Sequence, residues 1–460
     1  MKRTPLSLIA HWAGGEIHGD DASIDAVSND TRTLAAGSLY IALRGERFDG
    51  HDFAANAVEQ GASALLVDRL LPLDVPQVVV PNTELALAKI AAAMQQQRAT
   101  RVFAITGSNG KTSVKNLLLA VMQHAAAVLG QHVHATPGNR NNEIGLPLAV
   151  IDAPEDADYA IYEMGTGKPG DIAYLTAIAA PDVSIVNNVA PAHLERMGSL
   201  LEIANTKAAV YDDLRDGGVA VVNADDAFSP YFAVRAGAHQ VIRFGLEVSA
   251  DVTATNIVLD EAAARFQLRT PHGNADVMLQ LPGRHNVLNA LAAASMALAA
   301  GIALPLVAEG LARARPVAGR QVAHVLDSGA VLVDDSYNAN PGSLAAAITA
   351  LAAGKGEGWL VLGDMRELGP EAQALHAQAG QRAREAGLKR LYTLGPLSAA
   401  ASAAFGEGGR HFDSHAALAA VLQTELHAGV RCLVKGSRGS AMDKIVNALL
   451  QRGEESTHVA

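Results

Sequence analysis

Apolar and polar positions along the chain fall into short runs whose period keeps changing. Ala26–Asn29, Ser38–Leu43, Ala64–Asp68 and Gln77–Val80 are brief apolar runs that predict strands, and Phe53–Gln60 and Glu84–Gln97 carry helical spacing. A polar stretch, Gln95–Arg98, closes this block and predicts a boundary near residue 99. The next block opens on the apolar strand Val102–Thr106, followed by a Gly-rich turn and the helix Ser113–His124. Strand-like runs return at Tyr159–Glu163, Ser184–Asn187 and Val219–Asn223, with helical periodicity between most of them. Strands alternating with helices imply a largely parallel sheet covered on both faces.

Leu288–Ala308 is apolar enough to resemble a membrane span. It carries Asn289 and Ser295 and is interrupted by Gly301 and Pro305, so it predicts buried helices and no membrane insertion. After a helix ending near Arg313, Arg315–Arg320 reads as a linker. Val331–Asp334, Trp359–Leu362, Arg390–Leu394 and Arg431–Val434 then alternate with Ala-rich helices, the pattern of a small Rossmann-like domain. The expected domains are 1–99, 100–313 and 314–460, with the tail frayed from about Gly453. The 460 residues support this division, since one core rarely grows past about 250–300 residues.

Charge narrows the function. Lys+Arg is 36 against Asp+Glu 47, a net charge of −11, and no basic run stands out, which argues against nucleic-acid binding. The single cysteine, Cys432, excludes an intrachain disulfide and a CxxC metal site and points to a reducing, cytoplasmic compartment. The N-terminus reads as lacking a signal peptide.

The sharpest local signal is Ile105–Ser113, ITGSNGKTS, between an apolar strand and a helix. Gly107 and Gly110 let backbone N–H groups turn onto phosphate oxygens, and the helix start adds its positive end. Lys111 supplies a point charge to phosphate and the Thr112 hydroxyl an oxygen for Mg²⁺. Ile105 stands where the full P-loop pattern has its first Gly. The loop predicts ATP or GTP but leaves kinase, motor and ligase open. Glu163 ends a strand, at the edge where open α/β sheets bind ligands, and reads either as a Mg²⁺ ligand or as a surface carboxylate. By spacing alone His193 is a turn residue and Lys207 an ordinary solvated helical lysine.

Taken together the motifs change that reading. In order they are SNDTR…GSLYIALRGERFDGHDF, TGSNGKTSVKNLL, TPGNRNNEIGLPL, YEMG, NVAPAHLERMGSL, LPGRHNVLNALAA, DDSYNANPGS, GDMRELG and VKGSRGSAMD. The chain resembles the Mur ligases, the ATP-dependent amide ligases of peptidoglycan precursor synthesis, over essentially its whole length. The resemblance implies an α/β protein of three domains, a central P-loop parallel-sheet ATPase domain between an N-terminal UDP-substrate domain and a C-terminal Rossmann-like domain. Within the family the motifs most closely resemble those of a member that would join D-alanyl-D-alanine to UDP-N-acetylmuramoyl-tripeptide through an acyl phosphate, releasing ADP. A DNPR-type motif, which the neighbouring third-residue-adding ligase carries, is not found, and the UDP-domain motifs argue against folylpolyglutamate synthetase.

By the same resemblance, Gly107, Ser108, Asn109, Gly110, Lys111, Thr112 and Ser113 would cradle ATP. Asn286 and Asn289 would lie near adenine, and Arg320 and Asp335 would reach ATP from the third domain. Thr112, Glu163, His193 and Lys207, the last as a carbamate, would support Mg²⁺; Lys111, Glu163, His193 and Lys207 form the expected catalytic set. Asp30, Thr31, Arg32, Asp49 and His51 would take the UDP moiety, although Asp30 and Arg32 also suit a simple turn-stabilising ion pair. Asn139, Asn141 and Asn142 would lie near the muramyl portion, and Lys435, Ser437 and Arg438 would face the dipeptide. Thr166-Gly167-Lys168, Asn116 and Ala318 depart from the common pattern without touching an expected metal ligand. A cytoplasmic monomer is expected.

Overall fold

The computed structural model describes residues 1–45, 47–191, 194–260 and 262–455. Three separate sheets carry the fold, each drawn from one stretch of chain. The first has five strands in the order Glu16–His18, Gln77–Val79, Ala64–Val67, Ser38–Ile41, Ala26–Ser28, antiparallel only at its first pair. The second has six parallel strands in the order Gln240–Phe244, Val219–Asn223, Val183–Val186, Arg101–Thr106, Tyr159–Glu163, Val133–Ala135. The third has the order Val322–Val325, Val331–Asp335, Val430–Lys435, Glu357–Gly363, Arg390–Leu394, Gly409–Phe412, parallel except for its first edge pair.

The central sheet is buried on both faces, so its strands read as unbroken apolar runs. Its middle strand, Arg101–Thr106, feeds the nucleotide loop, and both neighbours end beside it. Glu163 is in register with Ile105, and Val186 with Thr106. The helix after the loop, Lys111–Leu129, buries Val114, Leu117, Leu118, Val121 and Met122 against the sheet and against the helices Arg284–Ala299 and Leu304–Arg313. These two helices come from the apolar 288–308 stretch, broken at Gly301. Among the described residues no helix is long and apolar enough to cross a membrane.

Residues 253–279, for which no element was expected, form an antiparallel sheet, Thr253–Leu259, Ala264–Thr270 and Gly273–Leu279, whose inward Phe266, Leu268, Val277 and Leu279 join the core under Arg284–Ala299. The last helix runs through Asp443–Glu455, beyond the fraying expected at Gly453, because Ile445, Val446 and Leu449 bury against the third sheet. The stretch Gln95–Arg98 is also not solvated throughout. Gln95 and Arg98 are buried, and Arg98 donates to Val150 O at 2.5 Å and Ala153 O at 2.9 Å. One apolar cluster runs from Leu87 and Ile90 to Ile151 and Ile172, so the first sheet's helices sit on the central sheet through shared core.

The nucleotide helix owes its seat to one close approach. A Cβ built on Gly310 would lie 2.5 Å from Val121 Cα. Gly310→Ala should push the two helices apart and destabilise the protein by about 1–3 kcal/mol. Urea unfolding followed by circular dichroism measures this, and an unchanged midpoint would show that the contact is not tight.

Candidate active site

The strand end at Thr106 releases the chain into a loop whose backbone only glycine tolerates at one point. Gly110 has φ +78°, and a Cβ there would meet Asn187 Nδ2 at 2.6 Å and Asn289 Oδ1 at 2.7 Å. The loop is tied to the strand end beside it. Ser108 N–H donates to Asn188 O at 2.9 Å and Asn109 N–H to Asn188 Oδ1 at 2.8 Å, while Asn187 Nδ2 donates to Asn109 O at 3.0 Å. These bonds hold open the N-terminus of Lys111–Leu129, whose first N–H groups have no carbonyl within the helix. Lys111 folds back to donate to Gly107 O at 2.7 Å. Burial holds its ammonium below the ordinary lysine value, against the pull of the Glu163 charge.

Four side chains converge on Glu163, itself buried. Its Oε2 accepts from Thr112 Oγ1 at 3.0 Å and lies 3.2 Å from Lys115 Nζ, and its Oε1 accepts from Asn141 Nδ2 at 2.8 Å. Lys111 is the fourth, acting through its charge. Burial works to raise the Glu163 carboxyl. The Lys115 and Lys111 cations, with bonds from Asn141 and Thr112, more than offset it, so the group stays below the usual glutamate range as an anion. Asn141 was expected at the substrate; here its amide grips the carboxylate. Lys115 was not expected at all, and only its place one helical turn beyond Lys111 hinted at it.

Lys207 is buried, not the solvated helical lysine that its spacing suggested. Burial first, and the Lys111 charge second, drive its amine well below the ordinary lysine range. Among the described residues no carboxylate pairs with it. His193 lies outside the described residues.

The third sheet's domain completes the site from above. Arg320 Nη2 donates to Thr112 Oγ1 at 2.9 Å and Asn340 Nδ2 donates to Asn109 Oδ1 at 2.7 Å. Arg320 is aimed by Tyr337, whose ring centroid lies 4.3 Å from its guanidinium carbon. Between these parts lies a cleft of about 770 Å³. Ser108 to Ser113, Asn141, Asn142, Glu163, Asn286, Asn289, Arg320, Asp335 and Lys435 all line it. Asn286 and Asn289 face the loop from the helix Arg284–Ala299, with Asn289 Oδ1 accepting from Asn187 Nδ2 at 3.2 Å.

Other expected residues make contacts within their own domains. Lys435 donates to Asp335 Oδ2 at 2.6 Å and to Asn338 O at 2.9 Å, because adjacent parallel strands put the two residues in register. Ser437 donates to Ala339 O at 3.1 Å and Arg438 to the Tyr337 hydroxyl at 3.3 Å. All three stitch the 335–339 loop, and Ser437 and Arg438 do not line the cleft. In the first sheet's domain Arg32 pairs with Asp30 at 2.9 and 2.7 Å, the turn-stabilising alternative, and these bonds bring Asp30 down to about 2. Thr31 sits within that turn. His51 is buried, with Nδ1 at 2.5 Å from Asp49 Oδ1 and Nε2 accepting from Asp68 N–H at 3.0 Å. Asn142 Oδ1 caps Gly145 N–H at 2.9 Å, and Asn139 O accepts from Asn141 N–H at 2.8 Å. None of Asp30, Thr31, Arg32, Asp49, His51 and Asn139 borders this cleft.

Because Arg320 reaches the nucleotide loop across the domain junction, Arg320→Ala should cut turnover at least about 10²-fold, the cost of losing one preorganised charge donor. Binding of a UDP-linked substrate, measured by calorimetry, should barely change. Equal losses in both would refute this role.

Family models match nearly the whole chain: the Mur ligase family catalytic domain at residues 23–96, the Mur ligase middle domain at 105–297 and the Mur ligase glutamate ligase domain at 320–438. The chain is 42% identical over 456 residues to the UDP-N-acetylmuramoyl-tripeptide–D-alanyl-D-alanine ligase of Escherichia coli, covering 98% of this chain and 100% of the relative. It is 34% identical to the enzyme of the same name from Bacillus subtilis, covering 98% and 99%. Among solved structures, MurF from Acinetobacter baumannii superimposes with a TM-score of 0.91 at 32% identity, covering 98% of this chain and 100% of that one. MurF from Thermotoga maritima, solved in complex with ADP, gives 0.82 at 27% identity over 94% and 98%. The nucleotide loop, the buried strand-end carboxylate and the third-domain arginine thus occur in a chain that belongs to the Mur ligase family.

Proposed function

We propose that this chain is an ATP-dependent, ADP-forming amide ligase that joins D-alanyl-D-alanine to UDP-N-acetylmuramoyl-tripeptide in peptidoglycan precursor synthesis. The observation that carries the reading is the junction at Thr112, whose hydroxyl meets both Glu163 and Arg320 over the nucleotide loop. The full-length likeness to ligases of that name supplies the substrates. The labour divides over residues 1–99 for the UDP moiety, 100–313 for ATP and 314–460 for closure and the dipeptide. The protein acts as a cytoplasmic monomer.

Chemically, the terminal carboxylate of the tripeptide attacks the γ-phosphorus of ATP, and the bond to the β-γ bridging oxygen breaks to release ADP. The dipeptide amine then attacks the acyl carbon, loses a proton and expels phosphate. Both reactants of the first step are anions, so cations must offset their repulsion. Lys111 and Arg320 supply two such charges at the loop. Gly107 to Ser113 hold the phosphates, Asn286 and Asn289 face adenine, and Asp335, held by Lys435, reaches ATP. Thr112 and Glu163 offer two hard oxygens within 3.0 Å of each other, a donor pair that fits Mg²⁺. His193, with Glu163 shared, and carbamylated Lys207 would support a second Mg²⁺. Bound Mg²⁺ would neutralise charge on the phosphates. Docking of the third domain keeps water from the acyl phosphate.

Lys207 is suited to carbamylation because burial, and behind it the Lys111 charge, disfavours the protonated amine. A neutral amine adds CO₂ and releases a proton, whereas a protonated lysine does not. Lys207→Ala should lower turnover about 10²-fold or more, and short carboxylic acids should restore part of it by replacing the lost anion. An unaffected variant would remove the carbamate from the reading.

ADP release with ATP, Mg²⁺ and UDP-N-acetylmuramoyl-tripeptide should depend on D-alanyl-D-alanine, and the product should gain the dipeptide's mass. Release driven instead by the UDP-dipeptide precursor and a free diamino acid would identify the preceding ligase. ATP binding without turnover on either pair would identify a nucleotide switch.

A further inference from the structure

Lys115 stands out among the charged groups that the reaction does not use. It lies on the nucleotide helix one turn beyond Lys111, is 3% exposed and does not line the cleft. A lysine is almost never this buried unless its charge is paired. Its ammonium donates to Thr136 O at 3.2 Å and to Gly138 O at 2.9 Å, and it is ion-paired with Glu163 Oε2 at 3.2 Å. Held by these three contacts it is a fixed point charge, unlike Lys111, whose contact is to its own loop and which faces the cleft.

Those three acceptors belong to two different pieces of chain. Thr136 and Gly138 form the turn after the edge strand Val133–Ala135, which leads to Asn141. Asn141 returns to hold the other oxygen of Glu163 at 2.8 Å. The carboxylate is therefore gripped at Oε2 by Lys115 and Thr112 and at Oε1 by Asn141, and Lys115 is the one member that also anchors the turn. We propose that Lys115 is a positioning residue that locks Glu163 and the 136–142 segment into one arrangement, and so sets the geometry at which Thr112 and Glu163 receive a nucleotide-bound divalent ion. The inference rests on the functional reading above only for the identity of that ion and its nucleotide.

Lys115→Met removes the charge, both carbonyl hydrogen bonds and the ion pair. Lys115→Gln removes the charge but leaves amide hydrogens for the two carbonyls, so it keeps the turn satisfied should the first variant not fold. Mn²⁺ binding to the full chain in the presence of ADP, followed by electron paramagnetic resonance, is the primary readout and needs no ligase turnover. Either folded variant should bind Mn²⁺ about 10–100-fold more weakly, the usual cost of losing an outer partner of a metal ligand. In steady-state assays kcat should fall with the apparent Mg²⁺ affinity, while KM for the dipeptide should hold within about 2-fold. In a Glu163→Gln background the same substitution should cost less than about 2-fold in Mn²⁺ affinity, because the group it acts through is already gone. Unchanged Mn²⁺ affinity in folded Lys115→Gln, or the same loss with and without Glu163, would overturn the proposal. Failure of the wild-type chain to use the dipeptide would overturn the functional reading alone, since the Mn²⁺–ADP comparison stands without it.

Discussion

A carboxylate kept ionised inside the protein is the constraint around which the site is arranged. Taking an unpaired carboxylate out of water costs several kcal/mol or more, so Glu163 stays charged only where cations and donors replace the lost solvent. The central sheet makes this possible. Because Glu163 is in register with Ile105, the carboxylate leaves its strand level with the start of the nucleotide loop. Thr112 and Lys115 then reach it from one side and Asn141 from the other. The packing of the loop's helix beneath Leu304–Arg313 fixes the height at which those groups arrive.

The junction with the third domain is built on a different balance. Arg320 to Thr112 and Asn340 to Asn109 are short polar contacts at the rim of a cleft. Among the described residues no apolar cluster joins the third sheet to the central one, whereas the first sheet shares core with it. Polar contacts exchange readily with water and small interfaces favour relative domain motion, so of the two attachments the third domain's is the one suited to opening and closing. The first domain, seated through apolar burial, is fixed as a platform. A ligase that must admit two substrates and then exclude water needs both kinds of attachment.

Much of this was legible in the chain. Apolar strand, Gly-rich turn and amphipathic helix marked the nucleotide loop, and the ordered motifs carried the family. The reach of the sequence ended where burial or register decides. Ala264–Thr270, ARFQLRT, does alternate apolar and polar, but which neighbours it pairs with, and that Phe266 and Leu268 turn inward, is decided by the helix above them. Lys435 lines the cleft, and only strand pairing shows that it also holds Asp335. Arg32 and Asp30 lie two residues apart, a spacing that left an ion pair and a UDP contact both open; the ion pair forms.

The sequence by itself determined which chemical groups the protein owns and in what local order: a glycine where φ turns positive, a lysine and threonine at a helix start, a carboxylate at a strand end. Tertiary structure decided which of them meet and in what medium. Lys111, Lys115 and Lys207 are the same side chain in the sequence. Folding faces one to the cleft, ties the second to two carbonyls and a carboxylate, and buries the third where its charged form is disfavoured. The physical reason is that an ionisable group's behaviour depends on the distance to its partners and on the water left around it, and both are set by segments far away along the chain.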